Sequence, residues 1–480
     1  MTEVLFIFMS ILAATYFLFI HKRSMNKTLT ASRWLLLAWT VLCLFFAFNP
    51  VQYHAFEVSA PTVLYCLVWL LAFIGGDHFG YLCGPSDGAA APRAPELIPK
   101  KFLTLLDRLI VLSLLCGAYY GYVKLHSLGG NSLEFVMSDL RGALVSEGES
   151  KLSVLAVDVA MSGLVFSLIR ISCTIMENKA PSLLALGGIF AYLSVYVFRA
   201  GRQGIAISVV ALAVTLAASL QASRRPYRYG KRLAVVTVCL FTLLVSYFTY
   251  NTLTRSTGAA SVGLSLDRKI AFAQRALSCT IDPKFIDSMQ KIDPIGSSLV
   301  ELFIYYSPQF YGLDFTMKHP HDQHVWGGLQ FNYFVRSFEK MLGLDVIVPT
   351  ISAWENVFND YGLYSNFFRT AVATTYMDFG PVFSIFFIFL CGFFAGTVRK
   401  TALTTGSPFF IAFEGLICSG VFMTNIYSPF CEIGWAYPWL MFMLLYFVFI
   451  RKNTRYVRCG QTAGTGAGPG SAVLLPAGEN

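Results

Sequence analysis

The sequence predicts an all-α polytopic membrane protein with about eleven transmembrane helices and one large outer loop. Three observations predict this fold class. Of the 480 residues, 55% are hydrophobic and only 13% are charged, which is more apolar surface than a soluble core can hide. Apolar runs long enough for a bilayer core of roughly 30 Å recur along the chain. Lysines and arginines collect in alternate short loops, as in the cytoplasmic loops of membrane proteins.

Each apolar run is interpreted as one helix. The first is interpreted as a retained helix, because no basic stretch precedes it and no small-residue cleavage site follows it. The second, third and tenth runs are short, so we expect those helices to be partly interfacial or to lie in thin membrane. The predicted helices are residues 4–20, 34–48, 61–74, 102–123, 152–169, 183–198, 205–220, 233–250, 381–398, 409–423 and 437–450.

The charge pattern predicts the orientation of the chain. If the helices alternate in direction, the basic segments all fall on one side, which is the cytoplasmic side. The N-terminus is then periplasmic and the C-terminus cytoplasmic. The net charge of +9 is explained by this topology and by contact with anionic membrane lipid, so we expect no nucleic-acid partner. The basic segments are residues 21–33, 93–101, 170–179, 223–232, 399–400 and 451–458.

The helices and loops divide the chain into four parts. Residues 1–250 carry helices 1–8, residues 251–379 form the large outer loop, residues 380–450 carry helices 9–11, and residues 451–480 form a cytoplasmic tail. The outer loop is rich in aromatic residues and too long for a bare connector, so we expect a small domain with helices along the membrane surface. The tail is rich in Gly, Ala and Pro and is expected to be disordered.

The eleven cysteines contain no C-x-x-C pair, and most lie in predicted helices, where cysteine behaves as a small hydrophobic residue. Only Cys279 and Cys431 fall on the predicted outer side. A disulfide between them is suggested by their location alone.

The segment FRAGRQG, residues 198–204, places two arginines at the predicted outer end of the sixth helix, against the charge bias. Arginine presents a planar fork of donors suited to phosphate oxygens, and a helix start adds unpaired backbone N–H groups. Gly201 and Gly204 let the backbone come close to a ligand. Arg199 and Arg202 are therefore candidates for binding pyrophosphate. The alternative is that they only reach lipid head groups, as arginines at helix ends often do.

A cluster of histidines, HPHDQH, lies in the outer loop beside Asp322. Histidine is the usual proton acceptor near neutral pH, so His321 or His324 is a candidate for deprotonating a hydroxyl nucleophile. Imidazoles beside a carboxylate also bind zinc. The alternative without chemistry is a solvated polar turn introduced by Pro320.

Arg369 and Asp378 frame the entry to the ninth helix, and Gly380 with Pro381 marks the predicted helix start. The string DFG also occurs in kinases, but here it opens a membrane helix without the other kinase motifs, so that match is chance. Arg369 either pairs with Asp378 as a structural anchor or binds phosphate. Arg141, a fourth arginine on the outer side, has the same ambiguity.

Together these features resemble the O-antigen polymerase (Wzy-type) family, the oligosaccharide repeat unit polymerases. The resemblance rests on the helix number, the large outer loop, the Arg-Gly pair at 141–142, the R-x-x-R-x-G segment at 199–204 and the polar-aromatic run at 366–396. It covers the chain to about Arg451. Arg369 departs from the pattern, because a small polar residue is expected there.

The resemblance implies a GT-C-like glycosyltransferase of the bacterial inner membrane. It would pass the growing glycan from undecaprenyl pyrophosphate to a new undecaprenyl-pyrophosphate-linked repeat unit on the periplasmic face, with a chain-length regulator protein as a further partner. No metal or other cofactor is required, because arginines stabilise the charge on the leaving pyrophosphate. The implied catalytic residues are His321, His324 and Asp322, and the implied substrate-binding residues are Arg141, Arg199, Arg202, Gly204, Arg369 and Asp378.

Two alternatives stay open. An O-antigen ligase shares the lipid-linked donor, the outer arginines and the large loop, but it passes glycan to lipid A core. A lipid or polysaccharide transporter is favoured by acidic or paired ionisable residues within helices, and the few candidates are Asp107, Asp158 and Glu414. The sequence has no internal repeat of the kind that marks many secondary transporters.

Overall fold

A computed structural model gives the fold of the chain, which divides into two compact units, residues 1–438 and 439–480. The described residues are 30–53, 58–84, 100–127, 151–180, 182–198, 203–223, 228–230, 242, 270–271, 274–275, 279–292, 295–306, 308–319, 324, 326–331, 335, 342–343, 360, 370–431 and 433–450.

The regular elements are mostly helices. The α-helices are α1 (Ala31–Ala47), α2 (Ala60–Cys83), α3 (Lys100–Ser127), α4 (Lys151–Met176), α5 (Leu183–Phe198), α6 (Gln203–Ser223), α7 (Pro283–Gln290), α8 (Ile295–Tyr306), α9 (Gln309–Lys318), α10 (Ala371–Thr405), α11 (Pro408–Phe422) and α12 (Ile433–Leu445). Two strands, β1 (Val51–Tyr53) and β2 (Cys279–Ile281), two 3-10 turns (Met423–Asn425 and Pro429–Cys431) and the π-helical turn Tyr446–Ile450 complete the set.

Six of these helices, α2, α3, α4, α6, α10 and α11, are long and apolar enough to cross a membrane, and α1, α5 and α12 are shorter apolar helices. The protein is therefore a helical membrane protein. Nine of the eleven predicted runs coincide with these helices, and the runs 4–20 and 233–250, apart from residue 242, lie outside the described residues. The prediction of a short third helix is wrong, because α2 has 24 residues. Helix α2 continues through Gly75 and Gly76, beyond the predicted end at residue 74.

Helices α2 and α10 pack closely through glycines. A Cβ atom on Gly80 would overlap the backbone carbonyl of Phe393, and one on Gly76, Gly392 or Gly396 would likewise meet the backbone of the facing helix. In each helix the two contacting glycines, Gly76 and Gly80 or Gly392 and Gly396, are four residues apart and so lie on one face. Small residues at this spacing let two membrane helices approach until their backbones touch.

A two-stranded antiparallel sheet joins β1, between α1 and α2, to β2 of the outer loop, with Val51 opposite Ile281 and Tyr53 opposite Cys279. The structure is mostly helical, as predicted for an all-α membrane protein. The sheet is a small addition that was not predicted, because three-residue strands are too short for their alternation to stand out in a sequence. The sheet contributes to a small apolar core beside the helices. Other members of this core are Ile304, Phe315, Leu329 and Met377.

Helix α9, in the predicted outer loop, is hydrogen-bonded to the start of α2 through Asp314. Its carboxylate is buried and accepts hydrogen bonds from the Ser59 backbone N–H at 3.0 Å and from the hydroxyls of Ser59 and Thr62 at 2.5 Å each. The Lys318 ammonium lies 2.5 Å from its other oxygen. Burial by itself raises the pKa of Asp314, but the bonds from Lys318, Ser59 and Thr62 outweigh burial and hold that pKa below its ordinary value. Asp314 thus satisfies donors that the first turn of α2 leaves open.

Candidate functional site

Gly380 and Pro381 interrupt α10 near its N-terminal end, which is the end predicted to be outer. Gly380 has φ 72° and ψ 177°, a conformation that side chains other than hydrogen disfavour. Pro381 has no N–H, so it cannot donate to the carbonyl of Met377 four residues earlier. The kink leaves a backbone acceptor that must find its donor elsewhere.

Residues 324 and 326–331, which lie in the predicted outer loop, supply donors to this kink; we call them the outer turn, after the side of the membrane predicted for them. The His324 Nδ1 atom lies 3.0 Å from the Met377 carbonyl oxygen. The Trp326 backbone N–H donates to the Asp378 carbonyl at 3.1 Å. The irregular backbone of α10 therefore defines where the outer turn docks.

The Asp378 carboxylate accepts hydrogen bonds from the backbone of the outer turn. It is fully buried and accepts three backbone N–H bonds, from Gly327 at 2.9 Å, Leu329 at 3.3 Å and Gln330 at 3.0 Å. Successive N–H groups that converge on one anion form a nest, and their dipoles compensate a buried negative charge. Asp378 thereby determines the conformation of the whole turn.

The outer turn carries an exposed tryptophan in an unusual conformation. Trp326 has φ 47° and Gly327 has φ 100°, and a bulky residue at positive φ is a local strain that surrounding contacts must support. The Trp326 side chain is 63% exposed, and its ring packs edge-on against Phe383 with centroids 5.3 Å apart. An exposed aromatic face held rigidly in this way suits stacking on an apolar ring face of a ligand.

His324 is exposed beside this tryptophan. Because a backbone carbonyl only accepts hydrogen bonds, the contact with Met377 assigns the proton of the neutral imidazole to Nδ1. Nε2 then carries the lone pair. This nitrogen lies over Gly380, where a Cβ atom would come within 2.9 Å of it. Glycine at this position therefore provides both the backbone conformation and the space for the imidazole.

A second attachment joins the outer turn to the loop after α11. The Ser428 hydroxyl donates to the Gln330 side-chain oxygen, and the Cys431 thiol donates to the Leu329 carbonyl at 2.9 Å. Cys279 and Cys431 are not joined by a disulfide, so the suggested pairing is not formed. Cys279 lies in β2, where burial raises the pKa of its thiol to about 11.

Of the nine predicted site residues, the structure describes three and brings two of them together. His324 and Asp378 meet at the outer turn. Asp378 was predicted to bind substrate, and here both of its oxygens hold backbone N–H groups; the substrate role stays a prediction. The others, His321, Asp322, Arg141, Arg199, Arg202 and Arg369, lie outside the described residues.

Gly204, the third described residue, lies in the first turn of α6. A Cβ atom on it would overlap the ring of Tyr196 from α5. The hydroxyl of Tyr192, one turn earlier on α5, donates to the Gly434 carbonyl at 2.9 Å. The missing side chain at Gly204 therefore makes room for an aromatic ring, and the predicted approach of a ligand to this backbone stays a prediction.

Within the described part of the chain, no three His, Cys, Asp or Glu residues stand close enough to hold a metal ion. The zinc interpretation of the histidine cluster depends on His321 and Asp322, which are not among the described residues. His319 instead directs Nδ1 to the Phe315 carbonyl at 3.1 Å, within its own helix end.

Sequence reasoning missed Trp326 and Gln330 as parts of this site. A signal for the turn was present in the Trp-Gly-Gly string that follows His324, since paired glycines mark positions with positive φ. Gln330 gave no signal, because its importance comes from contacts with Ser428 and Asp378 across 98 and 48 positions of sequence.

The fold and the site define a helical membrane protein with an ordered outer turn docked on a kinked helix. In comparisons with known proteins, no family model, no curated protein and no solved structure matches the chain.

Proposed function

We propose that the protein is a membrane glycosyltransferase that polymerises a bacterial surface polysaccharide on the periplasmic face of the inner membrane. Its donor would be the growing glycan on undecaprenyl pyrophosphate, and its acceptor a new undecaprenyl-pyrophosphate-linked repeat unit. The resemblance in the Arg141, Arg199–Gly204 and 366–396 segments supports the substrate class. The observation that supports a site is the position of His324, an exposed residue whose Nδ1 bonds the Met377 carbonyl, which leaves the lone pair on Nε2.

In the proposed reaction, Nε2 of His324 takes the proton from a hydroxyl of the acceptor sugar. The freed oxygen attacks the anomeric carbon of the donor glycan and forms the new glycosidic bond, while the bond from that carbon to the pyrophosphate oxygen breaks. Undecaprenyl pyrophosphate leaves with the electron pair. Arg199 and Arg202 would stabilise the charge that develops on it, as guanidinium groups do for phosphoryl leaving groups.

Two further residues would support this step. Trp326 offers an exposed ring on which a sugar can stack. Asp378 is a positioning residue, because it holds the turn that carries both Trp326 and His324. The proposal thus separates a base and an aromatic platform that face substrate from a buried carboxylate that fixes their geometry.

The test uses the purified full-length protein with undecaprenyl-pyrophosphate-linked repeat units and no lipid A core acceptor. Extension of the lipid-linked glycan is expected. His324→Gln keeps a hydrogen-bonding side chain but removes the base, and it should lower the extension rate about 100-fold or more while the protein stays folded. Unchanged extension by His324→Gln would show that His324 is not the base and is only part of a polar turn.

A matched control is His126→Gln. His126 is another exposed histidine, at the end of α3, and we expect this variant to extend glycans at the wild-type rate. Arg199→Ala and Arg202→Ala are expected to abolish extension while leaving the protein inserted. If the wild type transfers glycan only when lipid A core is supplied, the protein is a ligase and the polymerase proposal fails.

A second candidate function, a lipid or polysaccharide transporter, is favoured by one observation. Paired ionisable residues lie within the helices, with Arg399 bonded to Glu414 at 3.2 Å and Arg170 to Asp107 at 2.8 Å. Such pairs often mark transport paths. Movement of labelled lipid-linked glycan across reconstituted vesicles, without lengthening, would select this candidate.

A further inference from the structure

Three ionisable side chains are buried together at the ends of α2, α10 and α11 that lie away from the outer turn. Asp77, Arg399 and Glu414 are 6%, 2% and 4% exposed. Asp77 lies six residues before the last residue of α2, and Glu414 six residues after the first residue of α11, about 9 Å along each helix. The cluster is therefore inside the membrane-spanning region and away from bulk water.

The two carboxylates have different partners. Asp77 accepts the backbone N–H of Ser32 at 3.3 Å and the Ser32 hydroxyl on the same oxygen. Glu414 accepts one bond from Arg399, at 3.2 Å. Arg399 also interacts electrostatically with Asp77. Two donors and the guanidinium thus stabilise the ionised form of Asp77, whereas Glu414 depends on the guanidinium alone.

The second oxygen of Glu414, Oε2, is buried and has no hydrogen-bond partner among the described residues. An ionised carboxylate with one bare oxygen is costly in a low-dielectric interior. The charges also fail to balance, since two carboxylates face one guanidinium. One added positive charge would make the cluster neutral.

Two further basic residues lie on the neighbouring helices: Arg33 of α1, next to Ser32, and Lys400 of α10, whose ammonium lies over the Tyr81 ring. The charged side chains that act on Glu414 are Arg399 and Asp77. Helix α6, which packs on α11, has no charged residue between Gln203 and Ser223. On α4, Arg170 is paired with Asp107 of α3. On α11 itself the nearest titratable group is Cys418, and on α2 it is the exposed His78.

We infer that this cluster is a proton-binding site, in which Glu414 carries a proton at neutral pH and Asp77 is the ionised partner of Arg399. The neutral Glu414 accepts from Arg399 through its carbonyl oxygen, and its remaining oxygen bears the proton. The site is independent of the reaction proposed at the outer turn.

The test compares Glu414→Gln with the wild-type full chain in lipid nanodiscs. Glutamine has the shape of a neutral glutamic acid, so Glu414→Gln should fold and melt at or above the wild-type temperature at neutral pH. An infrared spectrum at neutral pH should show the carbonyl band of a protonated carboxylic acid in the wild type and lose that band in Glu414→Gln. Because the unfolded chain releases this proton and the folded chain keeps it, wild-type stability should fall relative to Glu414→Gln as the pH rises from about 4.3 to neutral.

Asp107→Asn is the matched control, because Asp107 forms a one-to-one ion pair with Arg170. This variant should keep the acid band. The inference fails if Glu414→Gln keeps the band or melts well below the wild type. It also fails if sodium or potassium ions, rather than pH, set the stability difference between Glu414→Gln and wild type.

Discussion

The two ends of α10 each carry a buried charge, and the chain stabilises the two charges in different ways. At the outer end, Asp378 is surrounded by backbone N–H groups of one continuous turn. At the other end, Arg399 bonds a carboxylate from another helix. Neutral dipoles leave Asp378 fully hydrogen-bonded, whereas the second cluster keeps one bare oxygen on Glu414.

Because of this difference, we expect the two regions to respond differently when a charge is lost or gained. Hydrogen bonds to backbone amides depend on the conformation of the outer turn, so losing the Asp378 charge changes local structure. The other cluster depends on a count of charges between separate helices, so gaining or losing a proton changes its energy with little change in shape. Asp378 therefore acts by fixing the conformation of the outer turn, whereas the energy of the Asp77, Arg399 and Glu414 cluster depends on its net charge.

The largest expected effect comes from removing the support at the outer end. Asp378→Ala leaves three buried N–H groups without an acceptor, which costs about 3–6 kcal/mol at roughly 1–2 kcal/mol for each. Residues 326–331 should then exchange backbone hydrogens much faster, as measured by mass spectrometry. Asp378→Asn keeps one acceptor oxygen and should be intermediate. Equal protection of the turn in Asp378→Ala and wild type would contradict the assigned anchor.

Gly380→Ala is expected to have the next largest effect. Alanine is strained at φ 72° and its Cβ would press on the His324 imidazole, so we expect a loss of about 1–3 kcal/mol together with displacement of His324. Thermal unfolding in detergent and histidine NMR shifts measure the two effects. The control is Gly75→Ala in α2, where no atom lies within 4 Å of the added Cβ; this variant should be neutral or slightly stabilising.

Asp314 allows a test of whether the outer helices are held by charge. Its lowered pKa means that its contribution to stability is present above the ordinary aspartate range and is lost as the pH falls below about 3.9. Asp314→Asn should cost about 1–3 kcal/mol at neutral pH and should flatten this acid-induced loss. Unfolding curves followed from neutral to acidic pH report the effect, and parallel curves for the two proteins would argue against it.

The smallest effect on stability is expected at Trp326. Asparagine adopts positive φ more readily than tryptophan, and the ring is mostly exposed, so Trp326→Asn should change stability by less than about 1 kcal/mol. If the ring stacks on sugar, the same variant should weaken substrate binding, raising KM in the extension assay. A melting temperature well below that of the wild type would show that Trp326 is a structural residue.

The positions of the helices were largely predictable from the sequence. Nine predicted runs coincide with apolar helices, because the length and apolar character of a span are local properties that lipid requires of every crossing segment. His324 and Asp378, two of the predicted site residues, meet at the outer turn, and the prediction that the chemistry lies there stays a prediction. The predicted helix start at Gly380 and Pro381 is wrong, because these residues form a kink within α10.

Only the tertiary structure decided what that kink does. The sequence predicted a helix start at Pro381, whereas α10 begins at Ala371 and continues across the kink, which frees an acceptor for His324. The sheet pairs β1 with β2 across more than two hundred residues of sequence. Asp77 is separated from Arg399 and Glu414 by more than three hundred. Periodicity and apolar length report each segment's own environment, but hydrogen bonds and charge balance between distant segments exist only once the helices have packed.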